Sequence, residues 1–264
     1  MSTRGTRPGR EDVMWWRARL RQLTPFGDHE LLSLERRMRV VRLAPGEALL
    51  HAGDRAEDVA LLQSGVLREL FTLADGTERT RSFSLPGDFA GSLSDLLRGG
   101  PSRTSVVAEV PSRLLVVPWD VVLEGIEREP LRTIVAQVTR QLYIAKSERE
   151  VELLALDAEA RYARFQERFG AVEELLLQRH VASYLGVTPE HLSRVRSRLA
   201  IASAPTKPAR KKTTRTRASG ASSAGPAAQM TAPSTGSGIA RESAKRRSNR
   251  SRRGSPSPTK RRPA

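Results

Sequence analysis

The chain has 264 residues and no cysteine. That excludes disulfides, thiolate zinc sites and Cys-ligated iron–sulfur clusters. Histidine is scarce as well. His29, His51, His180 and His191 are scattered and make no His/carboxylate set of the kind a metal oxygenase or isomerase needs. Neither a metal site nor catalysis is expected. No apolar run approaches the roughly 20 residues that cross a bilayer. Near the N-terminus, Met14-Trp15-Trp16 is followed at once by Arg17, Arg19 and Arg21, not by the apolar core of a signal peptide. The expected location is the cytoplasm, with no membrane partner.

What the chain has in excess is positive charge, and it is concentrated. There are 45 Lys and Arg against 29 Asp and Glu, a formal net charge of +16. Residues 203–264 hold 16 of those bases and a single acid, Glu242, so that stretch carries +15 and residues 1–202 only +1. From 203 on, Ala, Ser, Thr, Pro, Gly, Lys and Arg dominate, and no core can form from that composition. A disordered Lys/Arg-rich tail is expected. Its clusters Arg210-Lys211-Lys212, Lys245-Arg246-Arg247 and Lys260-Arg261-Arg262 suit phosphate attraction without base reading. A merely solubilising extension is the plainer alternative.

Along the body the hydrophobic period changes twice. Glu11–Arg37 has the spacing of short helices, through Leu20, Leu23, Leu31 and Leu34, after a loose start at residues 1–10. From Met38, short strand-like runs follow, each bounded by a turn signal: Val40–Leu43, Ala48–Leu50, Val59–Leu62, Val66–Phe71 and Thr80–Leu85; two more are Ser105–Val110 and Leu114–Val117. The corners are Pro45-Gly46, Gly53-Asp54, Ser64-Gly65, Asp75-Gly76 and Pro86-Gly87-Asp88. Many short strands with glycine corners predict a barrel or jelly roll. Helical spacing returns at Trp119–Ile126 and then in a long stretch with Leu131, Ile134, Val135, Val138, Leu142 and Ala145 on one face. That face is either a dimer seam or a helix lying against its own barrel. Asp157 has the chemistry of an N-cap for a helix through Tyr162, Phe165 and Phe169.

Residues 181–195 have the spacing of a helix-turn-helix. Ala182 is small where two helices cross, Gly186 ends the first helix, and Thr188 and Pro189 suit the N-cap and first position of the second. Val187, Leu192 and Val195 anchor it. The outer face then carries Glu190, His191, Ser193, Arg194, Ser197 and Arg198, with Arg196 beside them and Arg179 ahead of the first helix. These short hydrogen-bonding groups and guanidinium forks suit base edges and phosphates. An ordinary helical hairpin with a charged surface is the alternative.

The order of parts resembles the Crp/Fnr family of bacterial transcription regulators. Leu43–Glu47, His51–Asp54, Leu62–Val66 and Leu85–Ser92 look like the glycine corners of its cyclic-nucleotide-binding-like domain. Arg161-Tyr162, Ala182–Pro189 and Leu192-Ser193-Arg194 resemble its DNA-reading domain. The resemblance covers roughly residues 25–200 and leaves out the tail. It implies an α+β fold: an N-terminal double-stranded β-helix (jelly-roll) barrel, a long dimerisation helix and a C-terminal helix-turn-helix domain. The expected divisions are an N-terminal extension at 1–24, the β-barrel domain at 25–126, the dimerisation helix at 127–156, the helix-turn-helix domain at 157–202 and the tail at 203–264.

The resemblance also implies a homodimer on a two-fold DNA site, with its two reading heads about 34 Å apart, and RNA polymerase as a partner. Glu190 and Arg194 match the family's base-edge positions. Pro189 falls where another contact residue often sits, so that contact is absent, and Ser193 and Arg196 match phosphate or flanking contacts. An effector would sit between barrel and long helix. In cyclic-nucleotide binders of the family, Gly91, Arg103 and Thr104 match residues around the cyclic phosphate. Ser92 stands where a Glu takes the ribose hydroxyl; Asp95 is nearby but out of register, and the loop 98–102 is slightly longer. Ordinary cyclic AMP is therefore not the expected effector. A different small molecule or a filled pocket is, and for Arg103 a plain surface role stays open. Iron–sulfur sensing is excluded, and His51 is only a lone candidate for haem. The rival readings are a general DNA-associating architectural protein acting through the tail, and an effector-binding protein that leaves DNA alone.

Overall fold

The computed structural model describes residues 5–203. Helices α1 (Arg10–Arg21) and α2 (Leu32–Arg37) precede strands β1 (Arg39–Leu43), β2 (Ala48–Leu50), β3 (Asp58–Ser64), β4 (Leu67–Thr72), β5 (Glu78–Ser84) and β6 (Phe89–Ala90). After α3 (Leu93–Arg98) come β7 (Ser105–Ala108), β8 (Ser112–Pro118) and α4 (Trp119–Gly125). The long helix α5 (Leu131–Ala155) leads to α6 (Ala158–Phe169), a 3-10 turn at Gly170–Leu175, α7 (Gln178–Leu185) and α8 (Pro189–Ser203). Among the described residues no helix is long and apolar enough to cross a membrane. The reading of a disordered tail falls, from residue 204 on, outside the described residues.

The strands form no barrel. They make two open antiparallel sheets, in the orders β1-β8-β3-β6 and β2-β7-β4-β5, which corrects the expected jelly-roll closure. Closing a sheet requires each edge strand to find a partner at a consistent stagger. Here β2 has three residues and β6 two, and the β2–β7 register shifts between Ala48 and Leu50. Alternation and turn signals mark strands one at a time; they say nothing about which edges meet.

Three apolar clusters hold the chain together. Val41, Leu62, Leu67, Val106, Leu114 and Val116 fill the space between the sheets. On the outer face of the first sheet, Leu61 and Leu115 pack with Trp16, Leu20, Trp119, Leu131 and Ile134 from α1, α4 and α5. Asp12 fixes α1 to β8 by accepting two hydrogen bonds from the Arg113 guanidinium, at 2.7 and 2.9 Å. The third cluster joins Val66 and Phe83 of the sheets to the C-terminal helices.

Two local details follow from single residues. A Cβ on Gly65, whose φ is +97°, would sit 2.2 Å from Ser112 Oγ and 2.6 Å from Ser112 Cα, so only glycine fits there. At the start of the chain, expected to be loose, Thr6 exchanges two backbone hydrogen bonds with Val40, at 2.9 and 2.8 Å.

Candidate nucleic-acid interface and effector cavity

The DNA-reading candidate is the pair α7 and α8. Gly186 closes α7 in the left-handed region at φ 70°, and the Val187 N–H returns to the Ala182 carbonyl at 3.0 Å, the pattern of a glycine-terminated helix. Thr188 Oγ1 accepts from the His191 N–H at 3.2 Å, as an N-cap does. Ala182, Leu185, Leu192 and Val195 are buried where the helices cross. This leaves Thr188, Glu190, Ser193, Arg194, Ser197 and Arg198 exposed and His191 half-buried.

The basic residues of this face are not equivalent. Arg194 is held by no hydrogen bond or ion pair among the described residues, although the field of Glu190, one turn earlier, reaches it. Glu190's own backbone N–H and the Thr188 hydroxyl hold its carboxylate below the usual range, leaving an ionised acceptor. Arg198 pairs with Glu159 at 2.7 Å. Arg179 is exposed and donates to His180 Nε2 at 3.2 Å. Arg196 turns inward: it bonds Glu173, and its guanidinium lies 5.7 Å from the centre of the Tyr162 ring.

The C-terminal helices α6, α7 and α8, the head, are docked on β5. The Phe83 ring lies 5.6 Å from both Phe169 and Tyr184 and 6.4 Å from Phe165. The Thr80 N–H donates to Ser183 Oγ at 2.9 Å. Beside them runs a charged chain: His180 Nδ1 meets Glu109 at 2.7 Å, and Arg68 bridges Glu109 at 2.6 Å and Glu78 at 2.7 Å. Burial alone would raise the Glu109 pKa, but His180 and then Arg68 hold it below the ordinary value. A depressed carboxylate stabilises the fold above its unfolded pKa, and that contribution fades as pH falls through the folded value. Glu109→Gln should therefore cost roughly 2 kcal/mol at neutral pH. It should also flatten the loss of melting temperature below about pH 4.5. Identical acid melting profiles for the two proteins would contradict this.

Between strands of both sheets, α3, α5 and the head lies a cavity of about 710 Å³. Val59, Phe89, Leu96, Val138 and Leu142 give it apolar walls, while Glu69, Arg81, Lys146 and Arg149 bring charge. Glu69 accepts from Arg81 at 2.5 Å, Thr104 Oγ1 at 3.0 Å and Ser82 Oγ at 3.2 Å. Partial burial, then Arg81, lowers the Lys146 pKa against the pull of Glu69. Arg149 lies over the Tyr184 ring at 3.9 Å and bonds the Tyr184 carbonyl, so cavity, long helix and head share one side chain.

Of the residues expected around an effector, Gly91 is in the cavity wall, while Ser92, Arg103 and Thr104 are not. Ser92 Oγ donates to Asp95 at 2.7 Å, and the Arg103 backbone N–H does so at 3.0 Å. The Arg103 side chain is 65% exposed. Burial would raise the Asp95 pKa, but the hydrogen bonds from Ser92, the Arg103 N–H and Ser102, then the charge of Arg98, hold it low.

Comparison with known proteins fits this layout. Residues 40–129 match the cyclic nucleotide-binding domain model. A search of curated proteins finds no match. The chain superposes on FixK2 from Bradyrhizobium japonicum at TM-score 0.55 and 22% identity, covering 62% of this chain and 85% of that one. It superposes on CLP, a c-di-GMP-responsive global regulator from Xanthomonas campestris, at 0.54 and 14%, covering 67% and 93%. A protein from Eubacterium rectale described as a transcriptional regulator of the crp/fnr family gives 0.55 and 15%, covering 67% and 85%. The match places a cyclic nucleotide-binding-like domain at residues 40–129, and the superpositions show a shared fold.

The apolar stripe of α5 faces its own chain. Leu131 and Ile134 are buried in the cluster on the first sheet, Val135 and Val138 pack against it, and Leu142 and Ala145 line the cavity. The apolar side chains that α5 exposes are others: Tyr143, Ile144, Val151, Leu153 and Leu154, from 44% to 80% exposed. Reasoning from sequence also passed over Glu69, Arg81, Lys146 and Tyr184. Each comes from a different element, and only the fold brings them together.

Proposed function

We propose that the protein is a homodimeric, sequence-specific DNA-binding transcription regulator whose heads are controlled by a small effector in the cavity. The observation that carries this is the outer face of α8, where Glu190, Ser193 and Arg194 are exposed on a helix whose opposite side is fully buried. Glu190 suits a cytosine amino group, and Arg194 suits the guanine edge. The exposed side chains of α5 support a seam with a second copy. Ile144 and Val151 are one heptad apart, the repeat of paired helices. Effector control is read from Arg149 and Tyr184, which join the cavity wall to the head. A ligand that alters their stacking shifts the population between docked and released heads.

Selection of bound sequences from a random duplex pool tests the reading. A palindromic motif with half-sites one helical turn apart is expected; enrichment of no motif would sink it. The basic tail contributes affinity without sequence. Removal of residues 203–264 should lower total affinity and the dependence on salt while leaving the selected motif unchanged. Equal salt slopes for the two proteins would contradict that role.

A further inference from the structure

We propose that the cavity takes an amphipathic monocarboxylate, with its apolar body against Val138 and Leu142 and its carboxylate on the Lys146 ammonium. The inference rests on reading the cavity as an effector site and is independent of DNA binding.

The cavity wall carries five cationic side chains, Arg19, Arg81, Lys146, Arg149 and Arg168, against three carboxylates, Glu69, Asp88 and Glu150. An excess of positive charge around a concave site draws anions. Four of these cations already have company. Arg19 donates to the Gly87 carbonyl at 2.8 Å and to Gln22 at 3.0 Å. Arg81 donates to Glu69 at 2.5 Å, and Arg149 to Glu152 at 2.8 Å and to the Tyr184 carbonyl. The Arg168 guanidinium lies 5.0 Å from the centre of the Phe169 ring. Lys146 has no hydrogen bond, ion pair or ring contact among the described residues. Partial burial and the charge of Arg81 work against its ammonium and outweigh the pull of Glu69 and Asp95. A cation so placed is stabilised by an anion brought to it.

The neighbours of Lys146 set the rest of the ligand. Leu142 and Val138 precede it by one and two turns of α5 and line the same cavity. At the rise of an α-helix they stand about 6 and 12 Å from it along the axis. Val59, Phe89 and Leu96 add further apolar wall. An apolar body of up to about 12 Å that ends in one negative charge matches this order. A more highly charged group would find a single cation not already taken.

The test is calorimetric titration of the full-length protein with submicellar octanoate, with octanol and cyclic AMP as comparison probes. Octanoate should bind saturably. Lys146→Met keeps the apolar stem and removes the charge, and it should bind octanoate roughly 10- to 100-fold more weakly, the loss of one charge-assisted hydrogen bond. Lys146→Arg should restore most of that affinity, and octanol should not distinguish wild type from Lys146→Met. Lys146 has no internal partner to lose, so both variants should fold. Residues 203–264 are the same in all three proteins, so the differences report the cavity. Equal octanoate binding by wild type and Lys146→Met, or no saturable binding by wild type, overturns the proposal. Saturable binding of cyclic AMP without octanoate also overturns it, yet keeps the cavity as an effector site. Octanoate that binds through Lys146 but leaves duplex affinity unchanged supports the ligand class and removes only the effector control of the heads.

Discussion

Arg194→Ala is expected to weaken binding to the selected duplex by roughly 10- to 100-fold, the range set by one bidentate base contact. Most of the loss should be in preference for one base pair, with much less in binding to random DNA. The reason lies in how α8 is mounted. Leu192 and Val195 fix its buried side, so Arg194, between them in sequence, must point outward. Because no ion pair holds it, the guanidinium reaches a base without first breaking an internal bond. Arg196→Ala makes the contrast. Its partners Glu173 and Tyr162 are internal, so its loss should lower stability before it alters base preference. Competition binding with one base changed at a time separates the two, and unchanged preference in Arg194→Ala would remove that residue from base reading.

The second large effect concerns the joint between sheet and head. Phe83→Ala should destabilise the protein by about 4 kcal/mol, as truncation of a fully packed phenylalanine does. Phe83 is 2% exposed and is the sheet's contribution to an aromatic cluster otherwise made by α6 and α7. Its removal takes contacts from both sides at once, so the expected melt is broader as well as earlier, with the head parting before the sheets. Thermal denaturation followed at the aromatic near-ultraviolet and peptide bands checks this. A single sharp transition displaced by less than about 1 kcal/mol would show that the docking depends on other contacts.

How much of this was legible in the sequence differs from part to part. The helix pair α7 and α8 was readable because its determinants are local: Gly186 must end a helix, Thr188 caps the next, and the burial of Ala182 and Leu192 follows from spacing. The seven longer strands were readable for the same reason, the first five from the turn chemistry that bounds them and the last two from their apolar runs. Phe89–Ala90 was not, because two residues carry no alternation. Sheet closure, the face of α5 turned to its own domain and the docking of Phe83 all depend on contacts far apart in the chain. Periodicity found the stripe of Leu131–Ala145 but could not say what it faces. Asp95 lies outside the family spacing by sequence, yet folding places its carboxylate among Ser92, Ser102 and the Arg103 N–H. Shared location, not shared position in a motif, defines that site.

The openness of the sheets has a consequence for aggregation. A free strand edge is a template for adding a foreign strand, and proteins guard such edges by keeping them short or covered. The β2 and β6 edges offer three and two residues, and Thr6 occupies Val40 on the β1 edge. β5 is seven residues long, and its outward groups are engaged by the head: the Ser183 hydroxyl accepts from the Thr80 N–H and donates to the Glu78 carbonyl. Release of the head therefore uncovers the longest edge of the second sheet. A population with freed heads should be the one that self-associates through strand pairing.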